Sequence, residues 1–277
     1  MKLFNKVAII GTGLIGGSIA LSIKKNKLAG EVIGVSRHKA NILLAKKMHA
    51  IDRGSQDINI VKGADLVIFA TPVNTTLSLA PKIAAIVKRS CIVTDVGSTK
   101  QEVVAALTKI FPKYAGSHPM AGSEKRGVIN AQADMLKGSL CLVTPDKNTD
   151  KEACRKISKF WVMLGTKVML LSPEAHDKIL SFVSHLPHIA AFSLIGTVPK
   201  EYFKFSSGGL KDTTRVAASE AELWADIFLT NRKNILKAMS GLQNNLNKIK
   251  SAINNKDRIL LTKILQRAKE KRNILKS

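Results

Sequence analysis

The chain has 277 residues, 45% of them hydrophobic and 5% aromatic, with a formal net charge of +24. That length and apolar content suffice for two packed domains. Three scattered cysteines, Cys91, Cys141 and Cys154, without a C-x-x-C pair argue against a disulfide framework or a zinc site and suit a reducing cytoplasm. The charge favours anionic partners, but aromatic residues are too few for base-stacking platforms and the lysines are spread along the chain. They read as solvated helix faces, and nucleic acid binding is not expected.

The N-terminal apolar run is interrupted by glycines, lacks a small-residue cleavage site and ends in lysines, so it reads as folded structure rather than a signal peptide. No other segment reads as long and apolar enough to span a membrane. "VAIIGTGLIGGS" places a strand before Gly11, Gly13 and Gly16 in G-x-G-x-x-G spacing, with Leu14 and Ile15 opening a helix. The first glycine permits the tight turn, the second admits a pyrophosphate, and the third lets helix and strand pack closely; the helix N-terminus then faces the phosphates. A dinucleotide cofactor is expected. An NAD site usually carries an acid at the end of the second strand, whereas "VIGVSRHK" offers Ser36 and Arg37, a hydrogen-bonding hydroxyl and a cation suited to a 2′-phosphate. NADP is therefore expected over NAD.

The runs "EVIGVSR", "ADLVIFATP", "CIVTDVGS", "SLCLVTP" and "KVMLLS" read as further buried strands, with helical patterns at 16–27, 39–48 and 75–89 between the early ones. That alternation predicts an α/β N-terminal domain of Rossmann type, a mostly parallel sheet covered by helices on both faces. Thr71, Pro72 and Val73, after the "LVIFA" strand, would line the cofactor cleft. Strand-like runs stop at Ser172, where Ser172-Pro173-Glu174 has the cap, first-turn proline and early acid of a helix start. The domain boundary is placed there, giving an α/β domain over 1–171 and an all-α domain over 172–277. Ser219 and Glu222 form an S-x-x-E capping pattern ahead of one long helix, and a further helix is expected after Asn255. Pro187 in "SHLPH" should widen the helix locally.

Three further stretches, "DVGSTK" at 95–100, "GSHPMAGSEKRG" at 116–127, and "SHLPH" followed by "GGLKDTTR" at 208–215, occur in this order over nearly the whole chain. Together they resemble the prephenate/arogenate dehydrogenases of tyrosine biosynthesis. The resemblance implies a helical domain that dimerises and an oxidative decarboxylation of a cyclohexadienol, prephenate or arogenate, to an aromatic product. Without a chorismate mutase segment or an ACT-type domain, the sequence resembles the minimal monofunctional form.

The resemblance also implies residue roles. His118 is the acceptor at the substrate's C4 hydroxyl, a task suited to an imidazole. Ser98 is its partner at that hydroxyl, beside the nicotinamide. Arg215, with Lys211 nearby, anchors a substrate carboxylate, and Ser123, His185 and His188 contact the substrate. As plain structure, the histidine pair could serve a helix interface and His118 could be a loop residue. No residue cluster has metal-ligand spacing. A different Rossmann-plus-helical dehydrogenase, of the β-hydroxyacid or imine reductase type, would need no histidine at 118, and a basic nucleic-acid-associated protein would use the lysine-rich tail.

Overall fold

A computed structural model describes residues 2–122 and 125–275. The chain forms two compact units, Met1–Asn231 and Arg232–Ser277.

In the first unit, β1 (Phe4–Ile10), α1 (Leu14–Lys25), β2 (Ala29–Val35), α2 (Lys39–Lys47), β3 (Arg53–Ser55), β4 (Leu66–Phe69), α3 (Val73–Ala84), β5 (Ile92–Asp95) and α4 (Gln101–Ile110) follow in chain order. The strands form one parallel sheet in the order β3-β2-β1-β4-β5. Strand side chains alternate between faces, so Val7 and Ile9 join one core with Ile19 and Ile23 of α1, while Ala8 and Ile10 join another with Ile83 of α3 and Leu107 of α4. Each such valine, isoleucine or leucine side chain contributes roughly 1.5–3 kcal/mol on burial. The expected sheet with helices on both faces is what forms.

The chain then leaves the edge of that sheet. Val93 of β5 bridges to Tyr114, after which β6 (Gly116–Pro119) pairs antiparallel with β7 (Leu140–Thr144), and β7 pairs parallel with β8 (Lys167–Leu170) across α5 (Lys151–Met163). The last two expected runs, "SLCLVTP" and "KVMLLS", therefore belong to a separate three-stranded sheet and not to the parallel one. His118 sits on a strand, not in a loop. β3 and β6 escaped the pattern because one is Arg-Gly-Ser and the other ends in proline.

Ser172 caps α6 (Pro173–Leu180), its Oγ accepting from the Ala175 N–H at 3.1 Å. A π-helical turn over Ser181–His185 leads into α7 (Leu186–Thr197), so Pro187 does accompany a widened helix. This continuous run, Pro173–Thr197, has a window of mean hydropathy 1.5, long and apolar enough to cross a membrane by length and composition. That corrects the reading that no such segment exists. The run carries His176, Asp177, His185 and His188, and its exposed side chains include Phe182 and Val183.

After α8 (Gly208–Thr214) comes α9 (Ala221–Thr230). The expected capping box does not form: Glu220 occupies the cap position and no side chain bonds the first turn. The long helix expected from there is also interrupted, at Asn231. The second unit consists of α10 (Arg232–Asn254) and α11 (Arg258–Ile274), which pack on each other across a turn whose Asp257 accepts from the Leu260 N–H at 2.8 Å.

Candidate active site

The glycine turn joins β1 to α1, and its three glycines differ in what enforces them. A Cβ at Gly11 would lie 2.5 Å from the Ala70 carbonyl oxygen, and one at Gly16 would lie 1.9 Å from the Gly11 carbonyl oxygen. Both are required by the protein's own packing. A Cβ at Gly13 would meet nothing within 4 Å, so no protein contact explains that glycine. Open space before the first turn of a helix without a capping side chain suits a pyrophosphate. Thr12, 2% exposed, leaves its Oγ1 without a partner in the same turn. These residues fit a dinucleotide.

Thr71 and Pro72 flank the turn. A Cβ at Gly11 would also approach Thr71 Cγ2 at 2.9 Å, and Pro72 precedes Val73, the first residue of α3. Val73 in turn lies against Gly97, in the turn that carries Ser98. Ser98 lies three residues past the end of β5 and is partly exposed. A Cβ at Gly122, at the exit of the β6 stretch, would lie 3.8 Å from Ile15 Cδ1, which brings the "SHPMAG" segment close to the glycine turn. The stretch is also tied at its far end, where Arg126 pairs with Glu220 at 3.2 Å. Ser123 and Glu124 lie outside the described residues.

Beneath His118 the structure holds a polar network that the sequence did not reveal. His118 Nδ1 lies 2.9 Å from His176 Nε2, and His176 Nδ1 lies 2.8 Å from Asp177 Oδ1. The Asp177 carboxylate also accepts from the backbone N–H groups of Lys100 at 2.7 Å and Gln101 at 2.9 Å, at the start of α4. An acceptor-only carboxylate fixes the direction of the chain. His176 carries its proton on Nδ1, its Nε2 accepts from His118 Nδ1–H, and His118 Nε2 is left with a lone pair. Lys100 is fully buried, its ammonium paired with Asp95 and donating to the Ser117 carbonyl at 2.7 Å. Asp95 also accepts from Tyr114 Oη at 2.7 Å, and Trp161 Nε1 donates to Ser117 Oγ at 2.9 Å.

Burial, reinforced by His176, Lys100 and His185, holds the His118 pKa well below the ordinary imidazole range. Burial also lowers that of His176, against the opposing pull of its hydrogen bond to Asp177. His118 is thus neutral at ordinary pH, with Nε2 poised to accept a proton.

The helical segments bring His185, His188 and Arg215 to the same neighbourhood. His185 is 1% exposed; its Nδ1 lies 3.1 Å from Asn231 Nδ2, which also donates to the Asp177 carbonyl at 2.7 Å. Asn231 makes His185 Nδ1 an acceptor, so Nε2 carries the proton, and that atom is buried without a partner. Burial pushes the His185 pKa down to about 4. His188 stacks on Trp224 with ring centroids 3.5 Å apart. Its pKa is lowered by burial, with the Arg215 cation adding to the effect, which puts Arg215 within electrostatic reach of it. Lys211 is exposed on α8, where its backbone N–H donates to the Ser207 carbonyl at 3.3 Å, and its side chain has no hydrogen bond or ion pair among the described residues.

His176, Asp177, Lys100, Trp224 and Asn231 were not anticipated. The signals available were the His-Asp pair inside "PEAHDK", the lysine ending "DVGSTK", and one of only two tryptophans in the chain.

Comparison with known proteins adds a second line of support. Residues 19–170 match the family model described as prephenate dehydrogenase, nucleotide-binding domain, and residues 172–267 match the one described as prephenate dehydrogenase, dimerization domain. The chain is 36% identical to a prephenate dehydrogenase of Bacillus subtilis over 96% of its own length and 75% of that protein's. It is 33% identical to a cyclohexadienyl dehydrogenase of Zymomonas mobilis, covering 100% of this chain and 98% of the other. Among solved structures, the prephenate dehydrogenase of Aquifex aeolicus in complex with hydroxyphenyl propionate and NAD+ superposes with a TM-score of 0.93 at 35% identity, covering 98% of each chain. The Synechocystis arogenate dehydrogenase gives 0.82 at 26% identity, over 97% of this chain and 99% of that one.

Proposed function

The chain belongs to the prephenate dehydrogenase family, and on that premise we propose how its own residues perform the reaction. It is a nicotinamide-dependent dehydrogenase that catalyses oxidative decarboxylation of prephenate or arogenate, giving 4-hydroxyphenylpyruvate or tyrosine. The nicotinamide, when bound, supplies the acceptor for the hydride that leaves the substrate's C4.

His118 Nε2 accepts the proton of the C4 hydroxyl, so that electron density moves from oxygen toward C4 as hydride leaves and the ring carboxylate departs as carbon dioxide. His176 holds His118 in the one tautomer that can do this, and Asp177 holds His176. The three side chains act as a unit, because the imidazolium that forms on His118 is stabilised through the chain that ends on the Asp177 carboxylate. The burial that keeps His118 neutral also excludes water from the proton it takes. Ser98 hydrogen-bonds the same hydroxyl. Arg215, His188 and Ser123 bind the far carboxylate and side chain, with Lys211 adding charge at the mouth. His185, its Nε2–H buried, contributes by shaping the wall between His176 and Trp224 and reaches substrate only if that wall adjusts.

Gly11, Gly13, Leu14, Ile15 and Gly16 cradle the cofactor's pyrophosphate, with Thr71, Pro72, Val73 and Ser98 along the cleft. Ser36 and Arg37, in place of an acid after β2, favour NADP over NAD. The functional division falls at Ser172, with the segment beyond it mediating a homodimer, a reading supported by the dimerization-domain match and the exposed apolar side chains Ile179, Phe182 and Val183. The reading of a cytoplasmic enzyme is supported by its unpaired cysteines, which suit a reducing compartment.

The observation that carries the mechanism is the hydrogen-bonded chain from His118 through His176 to Asp177. The test is a four-way steady-state assay of prephenate and arogenate with NAD and NADP, followed by nicotinamide absorbance. Turnover of neither substrate with either cofactor defeats the reading, and a preference for NAD defeats the NADP assignment alone.

A further inference from the structure

The turn after β2 holds more than a serine and an arginine. Arg37 donates from Nε to His38 Nε2 at 2.9 Å, and its carbonyl accepts from Gln56 Nε2 at 2.7 Å. Ser36, buried, accepts at Oγ from the His38 N–H at 3.3 Å. The turn therefore has a backbone fixed at two points and a guanidinium fixed at a third. It also lies beside the glycine turn, since Gly11 N–H donates to the Val35 carbonyl at 2.8 Å and Thr12 packs over Gly34.

Arg37 and His38 are both exposed, so packing does not force their contact. A free arginine side chain carries rotamer entropy that binding must overcome. Engaging Nε with a neutral acceptor leaves the two terminal nitrogens as a parallel pair with their charge undiminished, the geometry that matches two oxygens of a phosphate. An acid in the same place would hold the side chain equally well but would neutralise it. A histidine acceptor orients the cation and keeps it available. Among the described residues no acid pairs with Arg37 or with Lys39, which opens α2 beside it.

We propose that His38 is a cofactor-specificity residue, a positioning residue that holds Arg37 through Nε so that its terminal nitrogens receive the 2′-phosphate of NADP. The proposal rests on the NADP reading above and extends it to a residue that itself touches no cofactor atom. Its effect belongs in KM for the phosphorylated cofactor, because the reacting ring is remote from the 2′ position and NAD has nothing there for Arg37 to grip.

The experiment compares the wild type with Arg37→Ala, His38→Ala and His38→Gln, measuring kcat and KM for NADP and for NAD, with thermal midpoints alongside. Gln can offer Oε1 to Arg37 Nε–H, whereas Ala cannot. Arg37→Ala should raise KM for NADP roughly tenfold or more, the loss of a charge-assisted pair. His38→Ala should raise it about three- to tenfold at unchanged kcat, as expected for released arginine entropy, while KM for NAD stays within about twofold; His38→Gln should recover most of the loss. If Arg37→Ala raises KM for NADP but His38→Ala does not, the positioning role is wrong and the NADP reading stands. If Arg37→Ala changes both cofactors equally or neither, both readings fall. Equal losses for both cofactors in His38→Ala, or no recovery with Gln, would also overturn the proposal.

Discussion

Replacing His176 with phenylalanine isolates the least conspicuous part of the candidate mechanism. The His176 ring is fully buried and tilted 56° to that of His118 with centroids 5.1 Å apart, so a phenyl group preserves most of the ring packing. Asp177 keeps its two backbone donors at the start of α4. What is lost is the acceptor 2.9 Å from His118 Nδ1. To present a lone pair from Nε2, His118 must then bury an unpaired N–H, at a cost of roughly 1–3 kcal/mol, or else adopt the other tautomer and present a proton where a base is needed. Since each 1.36 kcal/mol is about a factor of ten in rate, kcat should fall roughly 10- to 100-fold. KM should change little because the carboxylate anchors are untouched. Steady-state kinetics with the preferred substrate and cofactor, beside a thermal melt, measure this. A folded His176→Phe enzyme with kcat within about threefold of wild type would refute the tautomer argument. A double variant with His118→Asn supplies a second check, because residues acting as one unit should give a loss no larger than His118→Asn alone.

The other expectations follow from the same geometry. His118→Asn should lower kcat roughly 10²- to 10⁴-fold with cofactor affinity nearly unchanged, as measured by turnover and by cofactor titration. Arg215→Ala should act chiefly by raising substrate KM, and an effect confined to kcat would contradict its assignment as an anchor. Gly16→Ala should destabilise the fold, since its Cβ would sit 1.9 Å from a backbone oxygen, whereas Gly13→Ala, with open space around it, should melt like wild type yet bind cofactor poorly. Thermal midpoints and cofactor titration separate the two. Stability should fall in acid: His118, His176, His185 and His188 all have pKa values lowered by folding, so the unfolded chain takes up protons first as pH drops below about 6.5. His185, lowered to about 4, accounts by itself for a loss on the order of 3 kcal/mol between those two pH values. Melting that is flat or rises from pH 7 down to about 4 would contradict this.

What the sequence revealed and what it concealed divide along the range of the interactions involved. The glycine turn was legible because its requirements are local: a tight turn, an open face and a close helix contact lie within six residues. The start of α6 was legible for the same reason, as Ser172 and Pro173 act on the next turn only. β6 was not, because Gly-Ser-His-Pro has no strand pattern of its own and is held extended by β7, more than twenty residues later in the chain. The interruption at Asn231 runs against helical periodicity that continues smoothly from "LWADIFLTNRKNIL". Its cause is not in that periodicity but in the polar side chain at the break, which donates to the Asp177 carbonyl and to His185. Those partners precede it by 54 and 46 residues. The His118–His176 contact is of the same kind, joining a strand of the second sheet to a helix 58 residues on. Sequence reading found His118 by resemblance and left it alone in its motif. The structure supplies what a solitary imidazole lacks, a partner that decides which nitrogen holds the proton. That also explains why the apolar run Pro173–Thr197 carries His176, Asp177 and His185: they face a buried polar network, while Phe182 and Val183 of the same run are exposed. Under the proposed homodimer the same run would serve two demands, a proton-ordering network on one side and an association surface on the other. A substitution such as Val183→Glu should weaken association in sizing experiments while leaving the His118–His176 distance, and hence the shape of the pH–rate profile, unchanged.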